Sequence, residues 1–315
     1  MALSTISTIH FTNKNKGFVN NNNTVKWIAT GRTNNTLAYS YEGINWFGLG
    51  NSIYSSFGLC VVSNGSIIVS GGGGTNSLAH STDGINWTGL GTSIFSTWCQ
   101  NIAWSPTLNL FVAVGSGTNS HARSSNGINW TGNGVIFSEG RGVAWGNGMF
   151  ISAGTGTIHN FARSTNGINW TLYGGKTIFS TRGWGLAYNG IRWVATGDGT
   201  SHSLAHSSDG ITWTGLGKTI FTVRAHDIVW AGSLNMFVAV GQGTHTIAYS
   251  YDGLNWTGLG SSIFAVSKTV KWNGNRFIAG GNNPNRIAYS DDGINWVGLG
   301  DSVFDAEGMG IGFLG

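Results

Sequence analysis

Residues 81–87 read STDGINW, and close variants recur along the chain. They are SYEGINW at 40–46, SSNGINW at 124–130, STNGINW at 164–170, SSDGITW at 207–213, SYDGLNW at 250–256 and SDDGINW at 290–296. The closing tryptophans are Trp46, Trp87, Trp130, Trp170, Trp213, Trp256 and Trp296, spaced by 41, 43, 40, 43, 43 and 40 residues. A constant period of this length means one supersecondary unit per repeat.

Working outward from the heptapeptide, each unit reads as four short strands. The first carries an apolar, small, aromatic triplet, as in Ile102-Ala103-Trp104, Val143-Ala144-Trp145 and Ile228-Val229-Trp230. The second reads Trp27-Ile28-Ala29, Phe111-Val112-Ala113, Trp193-Val194-Ala195 or Phe237-Val238-Ala239. A polar, glycine-rich loop leads to a third strand with alanine in every copy: Ala38, Ala79, Ala122, Ala162, Ala205, Ala248 and Ala288. The Asp-Gly or Asn-Gly pair then predicts a hairpin turn whose two central residues both take positive φ. The tryptophan is expected to open the fourth strand and to be a large buried aromatic. The Asp or Asn side chain accepts bonds from the N–H groups just beyond it, and the serine hydroxyl bonds the same loop.

Four apolar strands per unit predict an all-β fold, a seven-bladed β-propeller of four-stranded antiparallel blades with residues 1–315 as one domain. A solenoid is the competitor, but it needs polar terminal caps and the end repeats show none. Seven heptapeptides accompany eight candidates for the innermost strand, from Phe18-Val19-Asn20 to Ile311-Gly312-Phe313. Four of the seven internal copies place Trp third, and Phe313 fits that column where Asn20 does not. The expectation is that residues 308–315 supply the inner strand of the first blade and close the ring. Residues 1–20 would then pack on an outer edge or pair with a neighbouring subunit.

The heptapeptide resembles the Asp-box, or BNR repeat, of sialidases and many non-enzymatic propellers. The resemblance spans residues 40 to 296 and implies that the box turn joins the third and fourth strands, away from the ligand face. Glu42, Asn126 and Asn166 depart from the usual Asp, and the longer Glu42 fits such a turn less well. Regular Asn- and Gly-rich arrays of this kind also resemble proteins of giant viruses and phage particles.

Composition narrows the function classes. Of 315 residues, 40% are apolar and 12% aromatic, enough for a large core, and only 9% are charged. The net charge of +4 arises without any Lys/Arg run, so there is no specific nucleic-acid signal. The N-terminal sequence is not that of a signal peptide, and no apolar stretch approaches the ~20 residues that cross a bilayer. A cytoplasmic or virion location follows as the expectation, with no membrane partner. Asn-Trp-Thr triplets match the glycosylation sequon but belong to the repeat. Cys60 and Cys99 lie in neighbouring repeats; two thiols make no framework, although one disulfide is open to them, and packing is their expected role.

In a propeller, ligands sit over the central channel. The residue two before the first apolar position of each inner strand is Lys16, Leu59, Gln100, Arg141, Trp184, His226 or Lys268, with Glu139, Arg182, Arg224 and Asp227 nearby. This set reads either as a chemically mixed pocket mouth or as a solvated rim. The loops between second and third strands supply Asn34, Asn35, Asn76, Asn119, His159, His202, His245, Asn283 and Arg286, as sugar-binding groups or as turn-satisfying ones. No metal or cofactor site is expected: His202 and His206, four apart in an extended segment, would lie about 13 Å from each other. The arginines at 141, 182 and 224 suit the carboxylate cluster of a sialidase, but the Arg-Ile-Pro segment of that family is missing. A glycosidase pair could be drawn from Glu139, Asp227 and Glu307, with Asp198 and Asp305 also near the face. The expected function is a non-catalytic binding or assembly module, with a protein or glycan at the propeller face and self-assembly or capsid association as further partners. A lectin and a sialidase-like glycoside hydrolase are the alternatives.

Overall fold

Runs of three to five Val, Ile, Phe, Trp and Ala, cut every few residues by glycine, favour short strands over helices. The computed structural model describes residues 24 and 26–314, and within them the one helical piece is the 3₁₀ turn Gly232–Leu234. Residues 1–20, including Lys16, lie outside the described residues. No helix among those described is long and apolar enough to cross a membrane.

The strands form five four-stranded antiparallel sheets and one of eight strands. The eight-stranded sheet is two four-stranded groups joined by one residue pair, Gly73 with Trp98. One unit shows the pattern. Phe264–Trp272 pairs with Phe277–Pro284, which pairs with Ile287–Ser290, which pairs with Val297–Gly298. The alanine column of the third strand faces its neighbour in register, Ala279 opposite Ala288 and Ala239 opposite Ala248. The strand Gly308–Phe313 pairs with Trp27–Gly31, Trp27 opposite Phe313 and Ala29 opposite Ile311. That sheet is therefore assembled from both ends of the described chain. The first strands touch in succession, and Gly308–Phe313 lies against both Phe264–Trp272 and Phe57–Ser63.

The core sits between sheets. Met236 and Val238 of one sheet pack on Phe264, Val270 and Phe277 of the next, and Trp27 and Ala29 pack on Ile278 and Phe304. Seven aromatics at the Ile-Phe positions form its most regular column: Tyr54, Phe95, Phe137, Phe179, Phe221, Phe264 and Phe304, all within 2% of full burial. Burying each contributes roughly 1.5–3 kcal/mol. The heptapeptide tryptophans were expected in this role, but only Trp213 is buried and the other six are half-buried. They lie over the turn instead, where Trp87 Nε1 donates to the Gly84 carbonyl at 3.1 Å and Trp130 Nε1 to that of Gly127 at 3.0 Å. The fourth strands start one residue after the tryptophan, and most have two residues.

The turns also differ from the hairpin expected. Gly84 sits at φ 77° and Gly293 at φ 76°, but the preceding Asp is outside the left-handed region. The side chain is the reason. Asp83 Oδ1 accepts from the N–H groups of Ile85 and Asn86, both at 2.8 Å, while Gly84 N–H donates to Ser81 Oγ at 2.9 Å. These bonds fix an Asx turn in which only glycine needs positive φ. Asn126 makes the same pair with Ile128 and Asn129 at 3.0 and 2.9 Å. Glu42 reaches past the nearer N–H and bonds Asn45 alone, at 2.6 Å. Burial works to raise the Asp83 carboxyl, and the bonds from Asn86, Ile85 and Ser81 overcome it and hold it at about 2.

Candidate functional site

Each first strand carries one residue too many for its partner. The register slips between Gly58 and Cys60, Cys99 and Asn101, Gly140 and Gly142, Ala225 and Asp227, and Ser267 and Thr269. It slips more widely between Gly183 and Leu186, and again where Gly310 and Gly308 face Thr30 and Gly31. The residues left over are Leu59, Gln100, Arg141, Trp184, His226, Lys268 and Met309. A bulge re-aims the side chain it inserts, and all seven of these line one cavity of about 960 Å³. The sequence column picked six of them; Met309 stands in the seventh place, since Lys16 lies outside the described residues. Asp227 also lines the cavity.

Two residues before these come Phe57, Trp98, Glu139, Arg182, Arg224, Val266 and Glu307; Phe57, Trp98 and Glu307 line the cavity, whereas Glu139, Arg182 and Arg224 do not and meet it only through the bulge residues and their neighbours. Arg141 donates from Nε to Glu139 at 3.1 Å, pairs with the same carboxylate through Nη2, and reaches Gln100 Oε1 at 3.2 Å. Its guanidinium lies 4.8 Å from the Trp184 ring centre and 5.9 Å from that of Trp98. Arg182 lies 5.9 Å from the same Trp184 ring. Trp184 meets the His226 ring edge-to-face at 5.3 Å. Arg32 covers Phe57 at 5.1 Å. Trp98, Phe57 and Arg32 were not foreseen at the mouth, although the period of two along a strand points to the first two.

Apart from Arg141 with Glu139, charges at the rim are paired loosely. Glu307 lies 3.9 Å from both Lys268 and Arg32, and Asp198 lies 3.9 Å from Arg224. Asp227 is held more tightly: its carboxylate accepts from Thr269 Oγ1 at 3.0 Å, Val270 N–H at 3.1 Å and Lys271 Nζ at 2.9 Å, tying its strand to the next. Burial, with Lys268 and Arg224 close by, pushes His226 down to about 3 against the opposing pull of the Ser267 carbonyl. The ring is neutral at pH 7, and its Nδ1–H donates to that carbonyl at 2.8 Å. Burial lowers Lys268 as well, with Arg224 and Arg32 adding to it and Glu307 opposing.

The carboxylates from which a glycosidase pair could be drawn, Glu139, Asp227 and Glu307, each face a cation, as does Asp198. Among the described residues there is no group of three His, Cys, Asp or Glu placed to hold a metal ion.

The loops between second and third strands have a different job. Asn76 donates to the Ile53 carbonyl at 2.7 Å and accepts from Gly91 N–H at 2.8 Å. Asn35, Asn119 and Asn285 repeat the pair, and His202 and His245 accept the second bond through Nδ1 at 2.9 Å. These side chains clamp the fourth strand to the segment before the sheet. Their polar groups serve the backbone, which is the turn-satisfying reading. The sheet that begins with Phe264–Trp272 uses Asn285 for this, not Asn283; Arg286 donates to the Asp305 carbonyl at 3.0 Å.

No protein-family model and no curated protein matches the chain. Solved structures do. A protein from Lactobacillus plantarum superposes with a TM-score of 0.64 at 14% identity, over 92% of this chain and 100% of that one. A nidogen/laminin complex gives 0.57 at 10% identity, over 92% and 98%. YCF48 bound to D1 peptide gives 0.54 at 16% identity, over 76% and 80%. At such identities the likeness carries the fold alone: an all-β, β-propeller-like architecture of four-stranded antiparallel sheets.

Proposed function

We propose that residues 24–314 are a single seven-bladed propeller closed by Gly308–Phe313, and that it is a non-catalytic module binding a segment of a protein partner at the channel mouth. The observation that carries this reading is the set of bulges, which send one side chain from each first strand into the same cavity. Supporting the architecture are seven heptapeptide turns of Asp-box type, seven buried aromatics, and the pairing of Gly308–Phe313 with Trp27–Gly31. Supporting a partner is the chemistry of the rim. Arg32, Arg141, Arg182, Arg224 and Lys268 stand against Glu139, Asp198 and Glu307, around the flat faces of Trp98, Trp184 and Phe57. Arginine and aromatic residues are the side chains that dominate protein recognition, and the surplus of cations suits an acidic segment. Two of the structural neighbours are complexes, YCF48 with D1 peptide and nidogen with laminin. No feature of the mouth favours capsid association or a glycan over a protein segment.

The test is fluorescence anisotropy with labelled peptides of Asp, Glu and aromatic residues, and with lysine-rich counterparts. Acidic peptides should bind and basic ones should not. Arg141→Gln with Arg182→Gln, or Trp184→Ala, should each weaken binding about tenfold or more, roughly 1.4 kcal/mol. Affinity indifferent to peptide charge and to these variants would overturn the reading, as would turnover of a glycoside panel.

A further inference from the structure

The chain has two cysteines, and the fold brings them to one point. Cys60 lies on Phe57–Ser63 and Cys99 on Trp98–Ser105, the first strands of neighbouring four-stranded groups. Both thiols are free and buried. A β-carbon placed on Gly71 would stand 2.7 Å from the Sγ of each. In four of the other groups of strands the corresponding residue, opposite the one that follows the bulge, is Thr30, Val114, Ala153 or Val240, and in the group of Phe264–Trp272 it is again a glycine, Gly280. At Gly71 the two sulfurs fill the room that a side chain takes at those four positions.

Their exposures differ in a useful way. Cys60 is 8% exposed and lines the channel, whereas Cys99 is fully buried behind it. Burial pushes the Cys99 thiol up, and the neighbouring Cys60 pushes it further. Around it the Val114 carbonyl at 3.7 Å and the Asn101 carbonyl at 3.9 Å are acceptors for the Cys99 S–H. One thiol lining the channel with a second buried behind it is the arrangement of an oxidisable cysteine and its resolving partner.

We propose that Cys60 and Cys99 are a disulfide site that links the two groups of strands when the channel meets a peroxide. The Cys60 thiolate attacks the O–O bond of hydrogen peroxide. An S–O bond forms, the O–O bond breaks, and with one proton the leaving oxygen departs as water, leaving a sulfenic acid. The Cys99 sulfur then attacks the Cys60 sulfur. The S–S bond forms, the S–O bond breaks, and the Cys99 proton leaves with the hydroxyl as a second water. Two thiols have together given two electrons to one peroxide. Because burial pushes the Cys99 thiol up, closure of the disulfide is slower than with an exposed resolving thiol. The proposal does not rest on the identity of the partner at the mouth, although Cys60 lines the same cavity.

The folded full chain is treated with hydrogen peroxide, quenched with N-ethylmaleimide, and digested without reductant for mass spectrometry, with urea-unfolded protein as a control for the oxidant. The expected result is a linked peptide pair carrying Cys60 and Cys99, an intact mass lower by two hydrogens, and a raised denaturation midpoint. Cys99→Ser should leave Cys60 as a dimedone-reactive sulfenic acid, and Cys60→Ser should leave Cys99 unmodified. The proposal is overturned if both thiols survive in the folded chain. A Cys60 overoxidised without a link, or linkage only between chains, would overturn it equally.

Discussion

The heptapeptide turns make a prediction about acid stability that carries its own control. Asp83, Asp209 and Asp292 are held at about 2 in place of the ordinary 3.8, and Asp252 lower still. At Asp209 the N–H groups of Ile211 and Thr212 are the main cause, whereas at the other three burial works upward and is overcome by bonds from the turn. A carboxyl lowered by folding stabilises the native state above its unfolded value. That contribution is lost as pH falls from about 4 to the folded value near 2. A fall from 3.8 to about 2 is worth about 2.4 kcal/mol at 1.36 kcal/mol for each factor of ten. These side chains are exposed, and solvent screening reduces the figure to about 1 kcal/mol each, or about 4 kcal/mol for the four. Against a total stability of about 5–15 kcal/mol this is a large share. Asn126 and Asn166 show that a neutral amide makes the same backbone bonds, at 2.9–3.0 Å. The fourfold variant Asp83→Asn, Asp209→Asn, Asp252→Asn, Asp292→Asn should therefore fold, and should lose much less stability between pH 5 and pH 2. Urea midpoints across that range measure the loss. Identical acid losses in both proteins would refute the reasoning.

Other outcomes follow from single residues. Gly142→Ala drives a β-carbon into the Trp184 carbonyl, and should cost roughly 3 kcal/mol or more in chemical denaturation, as overpacking against backbone does. Asn76→Ala removes a clamp on the Ile53 carbonyl and the Gly91 N–H, and should cost about 1–3 kcal/mol by the same measurement. Deleting residues 308–315 strips Trp27–Gly31 of its partner strand and should abolish cooperative unfolding seen by calorimetry. His226 should show no NMR titration above about pH 4, because burial and the cations beside it keep the ring neutral.

Much of this architecture is written in the period of the chain, because a repeat must bury the same surface in every copy. The alanine column and the turn serines are legible for that reason: each has one environment and one acceptable size. The buried aromatics escaped notice because Tyr54, Phe95 and their equivalents follow a variable linker, while the more conspicuous tryptophans draw attention to a half-exposed turn. At the mouth, counting two residues back from the apolar triplet reached Gln100, Arg141, Trp184, His226 and Lys268, yet it could not say why they converge. A bulge is a mismatch between two strands, and a single strand read alone does not display it. Trp98 and Arg32 act through contacts across strands, which no local pattern reports. Cys60 and Cys99 were placed in neighbouring repeats by their numbers, but their meeting depends on the missing side chain of Gly71.

The extra residue in each first strand separates two demands that usually compete. Ladder positions answer to a neighbouring strand, so their side chains are fixed by packing. A bulge residue answers to no partner across the ladder, and its replacement leaves the inter-strand pairing on either side in place. The seven mouth positions, Leu59 through Met309, therefore resemble the wards of a lock set into an invariant cylinder. A different key can be accepted by recutting them one at a time, while the frame that carries them keeps its stability.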